Sequence, residues 1–143
     1  GQIVISGKNQ DLEKLSLVLK EKKIKNIKLP VSAPFHCSLM NKATDIMKDE
    51  LSKLKFKKGI NPLISNITAD EIFNADELKN LLIKQIENKV RWRESVINMI
   101  NKGVNQFIEI GPGKVLSGLV KRINKEVYVS SINSEEEIKN IKI

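Results

Sequence analysis

The sequence predicts an α/β fold, and three observations carry that prediction. From Pro62 onward the apolar residues switch between a period of two and a period of about 3.6, so strands alternate with helices as around a parallel sheet. Gln106–Ile110 runs directly into Gly111-Pro112-Gly113-Lys114 and then into an amphipathic stretch, a strand-to-helix reversal that the flanking glycines permit. The chain has 143 residues, 41% of them hydrophobic and 29% charged, enough for one core burying about 70% of the unfolded surface. It contains no apolar run long enough to cross a bilayer.

Each element has its own local signal. Residues 2–6 alternate polar and apolar side chains before Gly7 and predict a strand. Leu12, Leu15, Val18 and Leu19 then recur at helical spacing to about Lys22, with Asn9 or Asp11 as the cap, and residues 24–29 alternate again as a second strand. Behind His36, the residues Met40, Ala43, Met47, Leu51 and Leu54 mark one face of a long helix. Residues 62–66 predict a short strand and residues 68–73 a turn or small hairpin. Asp76 is the predicted cap of a helix whose stripe of Leu78 and Leu82 continues into Gln85, an inward position where Leu or Ile would be ordinary. A further helix from about Val90 buries Trp92, Val96, Met99 and Ile100 and stops at Gly103. After the strand Gln106–Ile110, Pro112 suits a first helical turn, with Val115, Leu116, Leu119, Val120 and Ile123 as the apolar face. Residues 127–130 form the last predicted strand, and Ser134 caps a polar helix to Lys139.

Composition excludes several classes of function. The formal charge of +8 permits an acidic partner, either nucleic acid or an acidic carrier protein. The lysines are scattered, however, and with 4% aromatic residues there is no stacking platform for single strands, so a solvated basic surface is expected in place of nucleic-acid binding. Cys37 alone forms no intrachain disulfide, and one Cys with one His cannot fill a tetrahedral metal site. The same cysteine usage points to a reducing, intracellular compartment. The N-terminus has no basic region ahead of an apolar stretch, so no signal peptide is expected. It opens inside a strand without methionine, as a chain cut from something longer would.

The single histidine lies in Leu29-Pro30-Val31-Ser32-Ala33-Pro34-Phe35-His36-Cys37-Ser38-Leu39-Met40. Two prolines stiffen the approach to His36, and imidazole exchanges protons near neutrality, its unperturbed pKa being about 6.5. Two readings follow: a satisfied core histidine ahead of a helix, or a rigidly presented general base. Cys37 beside it invites a thiol-nucleophile reading, against which stands that neighbouring residues seldom aim both side chains at one another; a half-buried free thiol is the alternative. Gly111-Pro112-Gly113-Lys114 permits a phosphate site at a helix N-terminus, but it lacks the length and Lys-Ser/Thr ending of a P-loop and reads equally as a packing turn.

Several separated motifs agree in order and approximate spacing with one family. The opening Gly1-Gln2-Ile3-Val4-Ile5-Ser6-Gly7, the Leu29 to Met40 block, Ser65-Asn66-Ile67-Thr68, Gln85, Trp92 and Glu109-Ile110-Gly111-Pro112-Gly113-Lys114-Val115-Leu116 together resemble the C-terminal half of malonyl-CoA:acyl carrier protein transacylases. The resemblance implies an α/β-hydrolase-like acyltransferase core with an inserted ferredoxin-like small subdomain. Residues 1–29 would be the second half of that subdomain and residues 30–143 the C-terminal part of the core. It also implies a cytoplasmic enzyme of fatty acid biosynthesis that moves malonyl from coenzyme A to the phosphopantetheine thiol of acyl carrier protein by a ping-pong Ser-His route. No resident cofactor or metal is implied.

By that resemblance His36 is the catalytic base, and the backbone carbonyl of Gln85 orients it in place of a triad carboxylate. A buried Gln that merely packs a helix is the other reading of Gln85. Phe35 would narrow the acyl pocket toward malonyl, or simply pack. Asn66 would line the site at a strand end, or cap the turn that follows. The nucleophilic serine, the malonyl-binding arginine and the oxyanion-hole glutamine are expected upstream of Gly1. No Gly-x-Ser-x-Gly occurs in the chain, so this chain alone is expected to be inactive without the N-terminal half. Lys89 stands where the family commonly has Pro. Two other functions fit: an acyltransferase domain of a polyketide-type synthase, and a non-catalytic fragment that binds carrier protein through Lys114, Lys121, Arg122 and Lys125.

Overall fold

The computed structural model describes residues 2–140, a mixed α/β chain that divides into two units, Gly1–Arg91 and Trp92–Ile143. The division replaces the single core that length alone suggests.

In the first unit, α1 (Asn9–Glu21) leaves Leu12, Leu15 and Leu19 half-buried and Val18 exposed. Neither predicted cap closes its start: Lys8 is the N-cap, with no side-chain hydrogen bond. The helix ends with the Ile24 amide on the Leu19 carbonyl and the Lys23 amide on that of Lys20. This closure needs a left-handed residue, and Lys23 supplies it at φ 57° where glycine is usual. The strands predicted at residues 2–6 and 24–29 form no ladder among the described residues; Ser6 Oγ donates instead to Cys37 Sγ at 3.7 Å and Asn26 Oδ1 accepts from Ser16 Oγ at 2.7 Å. Alternation marks a face for burial; a ladder also needs a neighbouring backbone.

A 3-10 turn (Ser38–Met40) leads into α2 (Asn41–Ser52), so the helix begins directly behind His36. β1 (Leu63–Ile64) pairs antiparallel with β2 (Glu71–Ile72), so the strand expected at residues 62–66 is one arm of a hairpin and not a strand of a parallel sheet, and the hairpin spans 63–72 where one was expected within 68–73. Its loop is closed by hydrogen bonds from the Ala69 amide to the Ser65 carbonyl and from the Ser65 amide to the Asp70 carbonyl. α3 (Ala75–Lys84) is capped by Asn74, whose Oδ1 accepts from the amides of Asp76 and Glu77, each at 2.9 Å. Asp76 therefore sits in the first turn, where a carboxylate complements the helix dipole, and does not cap it.

The second unit is built around a βαβ motif. α4 (Trp92–Asn101) stops at Gly103, whose φ of 94° closes a six-residue reversal from the Val104 amide to the Met99 carbonyl. β3 (Gln106–Ile110) and β4 (Tyr128–Ile132) pair in parallel from Gln106 against Tyr128 to Ile110 against Ile132, with α5 (Val115–Ile123) as the crossover. Val96, Val120 and Val127 form the core, with Trp92, Phe107, Ile123 and Val129 packed around it. Each buried valine contributes about 1.5–3 kcal/mol. Pro112 precedes α5 in the turn and is not in its first helical turn, since Gly111 and Gly113 hold φ of 134° and 93° across that loop. Ser134 caps α6 (Glu135–Asn140) through its Oγ and the Glu137 amide.

Candidate functional site: an imidazole at the end of a helix

An α-helix leaves its last carbonyls without intrahelical partners. Just past the end of α3, two further carbonyls, on Gln85 and Ile86, are taken by His36. The His36 amide donates to the Ile86 carbonyl at 3.1 Å, and the ring Nδ1 lies 2.8 Å from the Gln85 carbonyl oxygen. A carbonyl can only accept, so the proton sits on Nδ1 and the Nε2 lone pair remains to accept another. The backbone of His36 is left-handed, φ 62°, a conformation histidine tolerates better than most residues. Stiff flanking prolines and this double attachment define where the exposed ring stands.

His36 opens onto a cleft of about 420 Å³ lined by Phe35, Met40, Ala43, Met47, Asn66, Gln85 and Ile86. Ala43 and Met47 of the apolar face of α2, with Met40 just before it, thus form a wall of the cleft, while Leu51 and Leu54 do not reach it. Phe35 lies on the wall of this cleft and is 49% exposed. Asn66 Nδ2 donates to Gln85 Oε1 at 3.3 Å, bringing the sequence candidates Asn66, Gln85 and His36 into one chain of contacts. Gln85 lies just past the helix, half-buried, joined to the imidazole through its backbone and to Asn66 through its side chain. Ile86 is a partner that the sequence does not announce, because a backbone acceptor has no side-chain signature.

Other candidates separate cleanly. The Cys37 thiol donates to the Pro34 carbonyl at 3.1 Å and accepts from Ser6 Oγ at 3.7 Å, and it does not line the His36 cleft. No cluster of metal-binding side chains occurs among the described residues. At the start of α5 the Glu109 carboxylate already accepts from the amides of Leu116 at 3.1 Å and Ser117 at 2.7 Å, the place a phosphate would take. Hydrogen bonding by Ser117, then by the amides of Leu116 and Val115, holds the Glu109 carboxyl below its ordinary pKa against the effect of desolvation. Gly111–Lys114 is therefore a self-satisfied packing turn, closed further by the Gly113 amide on Asn133 Oδ1. A larger cleft, about 640 Å³, lies along β4 and α6 and holds the carboxylates of Glu136 and Glu137 but no imidazole or thiol. Chemistry, not size, selects the His36 cleft. The basic residues Lys114, Lys121, Arg122 and Lys125 are all exposed in the second unit.

Fold and site together define a mixed α/β protein that presents an oriented imidazole to an apolar cleft. Known proteins narrow that class. The chain is 43% identical over 139 residues to the malonyl CoA-acyl carrier protein transacylase of Bacillus subtilis, covering 96% of this chain and 44% of that protein. It superposes with a TM-score of 0.86 on the acyl-carrier-protein S-malonyltransferase of Bartonella henselae, at 38% identity over 93% of this chain and 43% of that one. A malonyl-transacylase in complex with its type II PKS acyl-carrier protein matches with a TM-score of 0.85 at 32% identity, covering 93% of this chain and 43% of that one. No protein-family model matches the chain. Over nearly its whole length, the chain is homologous to the C-terminal portion of the malonyl CoA-acyl carrier protein transacylases, and it spans less than half the length of these relatives.

Proposed function

We propose that this chain is the base-bearing portion of a malonyl-CoA:acyl carrier protein transacylase. Residues 1–29 would contribute to a ferredoxin-like small subdomain and residues 30–143 to an α/β-hydrolase-like core. The observation that carries the reading is the 2.8 Å contact of His36 Nδ1 with the Gln85 carbonyl, beside the homology just described. In this reading His36 Nε2 takes the proton of a serine hydroxyl as that oxygen attacks the malonyl thioester carbonyl. The serine belongs to the N-terminal half. The C–S bond breaks, and the imidazolium returns its proton to the departing coenzyme A sulfur. In the second half-reaction Nε2 takes the proton of the phosphopantetheine thiol, whose sulfur attacks the acyl-serine. The serine oxygen leaves and recovers the proton.

Gln85 replaces the triad carboxylate in holding the tautomer, while Phe35 and Asn66 border the acyl-binding space. No resident cofactor takes part: malonyl-CoA is a substrate, and phosphopantetheine arrives on the acyl carrier protein. The setting is cytoplasmic, and the partners are an acidic carrier protein and the N-terminal half of the same enzyme, not nucleic acid or a membrane. In the complete enzyme, His36→Ala is expected to slow acyl-serine formation about 10²–10⁴-fold, the usual contribution of a general base. An unchanged rate removes His36 from the mechanism. The 143-residue chain by itself is expected to transfer no malonyl; transfer by that chain alone would overturn the divided site.

A further inference from the structure

We infer that Asn66 is a positioning residue that acts on His36 through the side chain of Gln85. Gln85 sits in the turn after α3, where helix ends fray and where a carbonyl has no ladder to fix its direction. Its amide is held by the Leu81 carbonyl at 3.0 Å, and its side chain by Asn66 Nδ2 at 3.3 Å. Between these two anchors lies the carbonyl that holds the imidazole.

Asn66 is itself fixed from behind. Its carbonyl accepts from the Arg91 amide at 2.9 Å, and Arg91 Nη1 donates to the Thr68 carbonyl at 2.9 Å. The hairpin loop is locked by the buried Ser65, whose Oγ accepts from the Ile67 amide at 3.1 Å, and by the buried, left-handed Ala69. The rigid loop thus holds Asn66, Asn66 holds the Gln85 side chain, and Gln85 holds His36. A residue that only lined the cleft would not need its amide turned onto Gln85.

The inference rests on His36 being the base only for its effect on rate; the positioning itself is read from where the ring proton sits. His36 is the single histidine of the chain, so its imidazole nitrogens give unambiguous ¹⁵N signals, read at a pH where the ring is neutral. The unsubstituted chain should be protonated mainly at Nδ1. Asn66→Ala and Gln85→Ala, the latter keeping the backbone carbonyl, should each lower the ratio of Nδ1–H to Nε2–H about fivefold, the equivalent of one neutral hydrogen bond. The double variant should fall no further than either single, because both remove the same contact. Asn66→Asp should retain the wild-type ratio, since the Gln85 amide can turn and donate to the new carboxylate. The inference is overturned by an unchanged ratio in a folded Asn66→Ala variant, or by a double variant that falls as far as both singles combined. Should the alanine variants not fold, the near-isosteric Asn66→Leu, which fills the same space without a donor, decides: a lowered ratio supports the inference and an unchanged one overturns it. Acyl transfer that survives His36→Ala overturns the base reading and leaves the tautomer result untouched.

Discussion

The βαβ motif of the second unit and the stretch around α1 both hold apolar residues at strand and helix spacing, yet they bury them differently. In the motif, β3 and β4 share a continuous parallel ladder, α5 covers them, and the valine core closes. Around α1 no residue is buried, and Ile3 and Ile27 are 86% and 74% exposed. Helical hydrogen bonds are made within the segment, so α1 needs no neighbouring backbone to complete its ladder. Strand hydrogen bonds and side-chain burial are both properties of a pair, and the stretches flanking α1 join no strand ladder among the described residues.

That difference sets where substitutions should be felt. The largest effect is expected at Val96, fully buried in the valine core: Val96→Ala should destabilise the second unit by about 2–3 kcal/mol in denaturant unfolding followed by the fluorescence of Trp92. Ile3→Ser, by contrast, should stay within about 0.5 kcal/mol; a larger loss would mean that residues 2–6 are covered in solution. Next comes Gly113, where a Cβ meets open space but φ is +93°. Gly113→Ala should cost about 1–2 kcal/mol through backbone strain alone, whereas Gly7→Ala should be silent by the same thermal-melt assay.

Glu109 gives a smaller, pH-dependent effect. Its carboxyl titrates below the ordinary value in the folded chain, so it adds stability above the ordinary carboxylate range and loses that contribution as pH falls through the lowered pKa. Unfolding midpoints measured from neutral to acidic pH should therefore decline, and Glu109→Gln should flatten the decline. The smallest effect is a gain: Lys23→Gly relieves the left-handed φ of 57° at the end of α1 and should raise stability by about 0.5 kcal/mol, read as increased helicity by circular dichroism.

Elements that satisfy themselves locally were the most legible in sequence. The bounds of β3 and α5 follow from hydrophobic period and the glycine turn, and Gly103 ends α4 because only a left-handed residue closes that reversal. The cap of α3 misled because Asn74 and Asp76 are both capping types, and only geometry shows that Asn74 carries the extended backbone and faces two amides. Of the site, His36 and Gln85 could be singled out by residue type, residue 36 as the lone imidazole and residue 85 as a polar break in an apolar stripe. How they meet could not be read the same way. The left-handed backbone of His36, the Ile86 carbonyl and the reach of Asn66 across 19 positions depend on how loops fold back, which no periodicity encodes.

The double attachment of His36 to successive carbonyls makes α3 a ruler. One residue inserted within it would turn everything beyond by about 100° and advance it by about 1.5 Å, so both acceptors would leave the ring and its amide together. The exposed residues 57–62 carry no such register and should absorb added length freely. Among natural variants of this chain, length changes should therefore collect between α2 and β1 and be missing from α3, a pattern of gaps that records the reach of one imidazole.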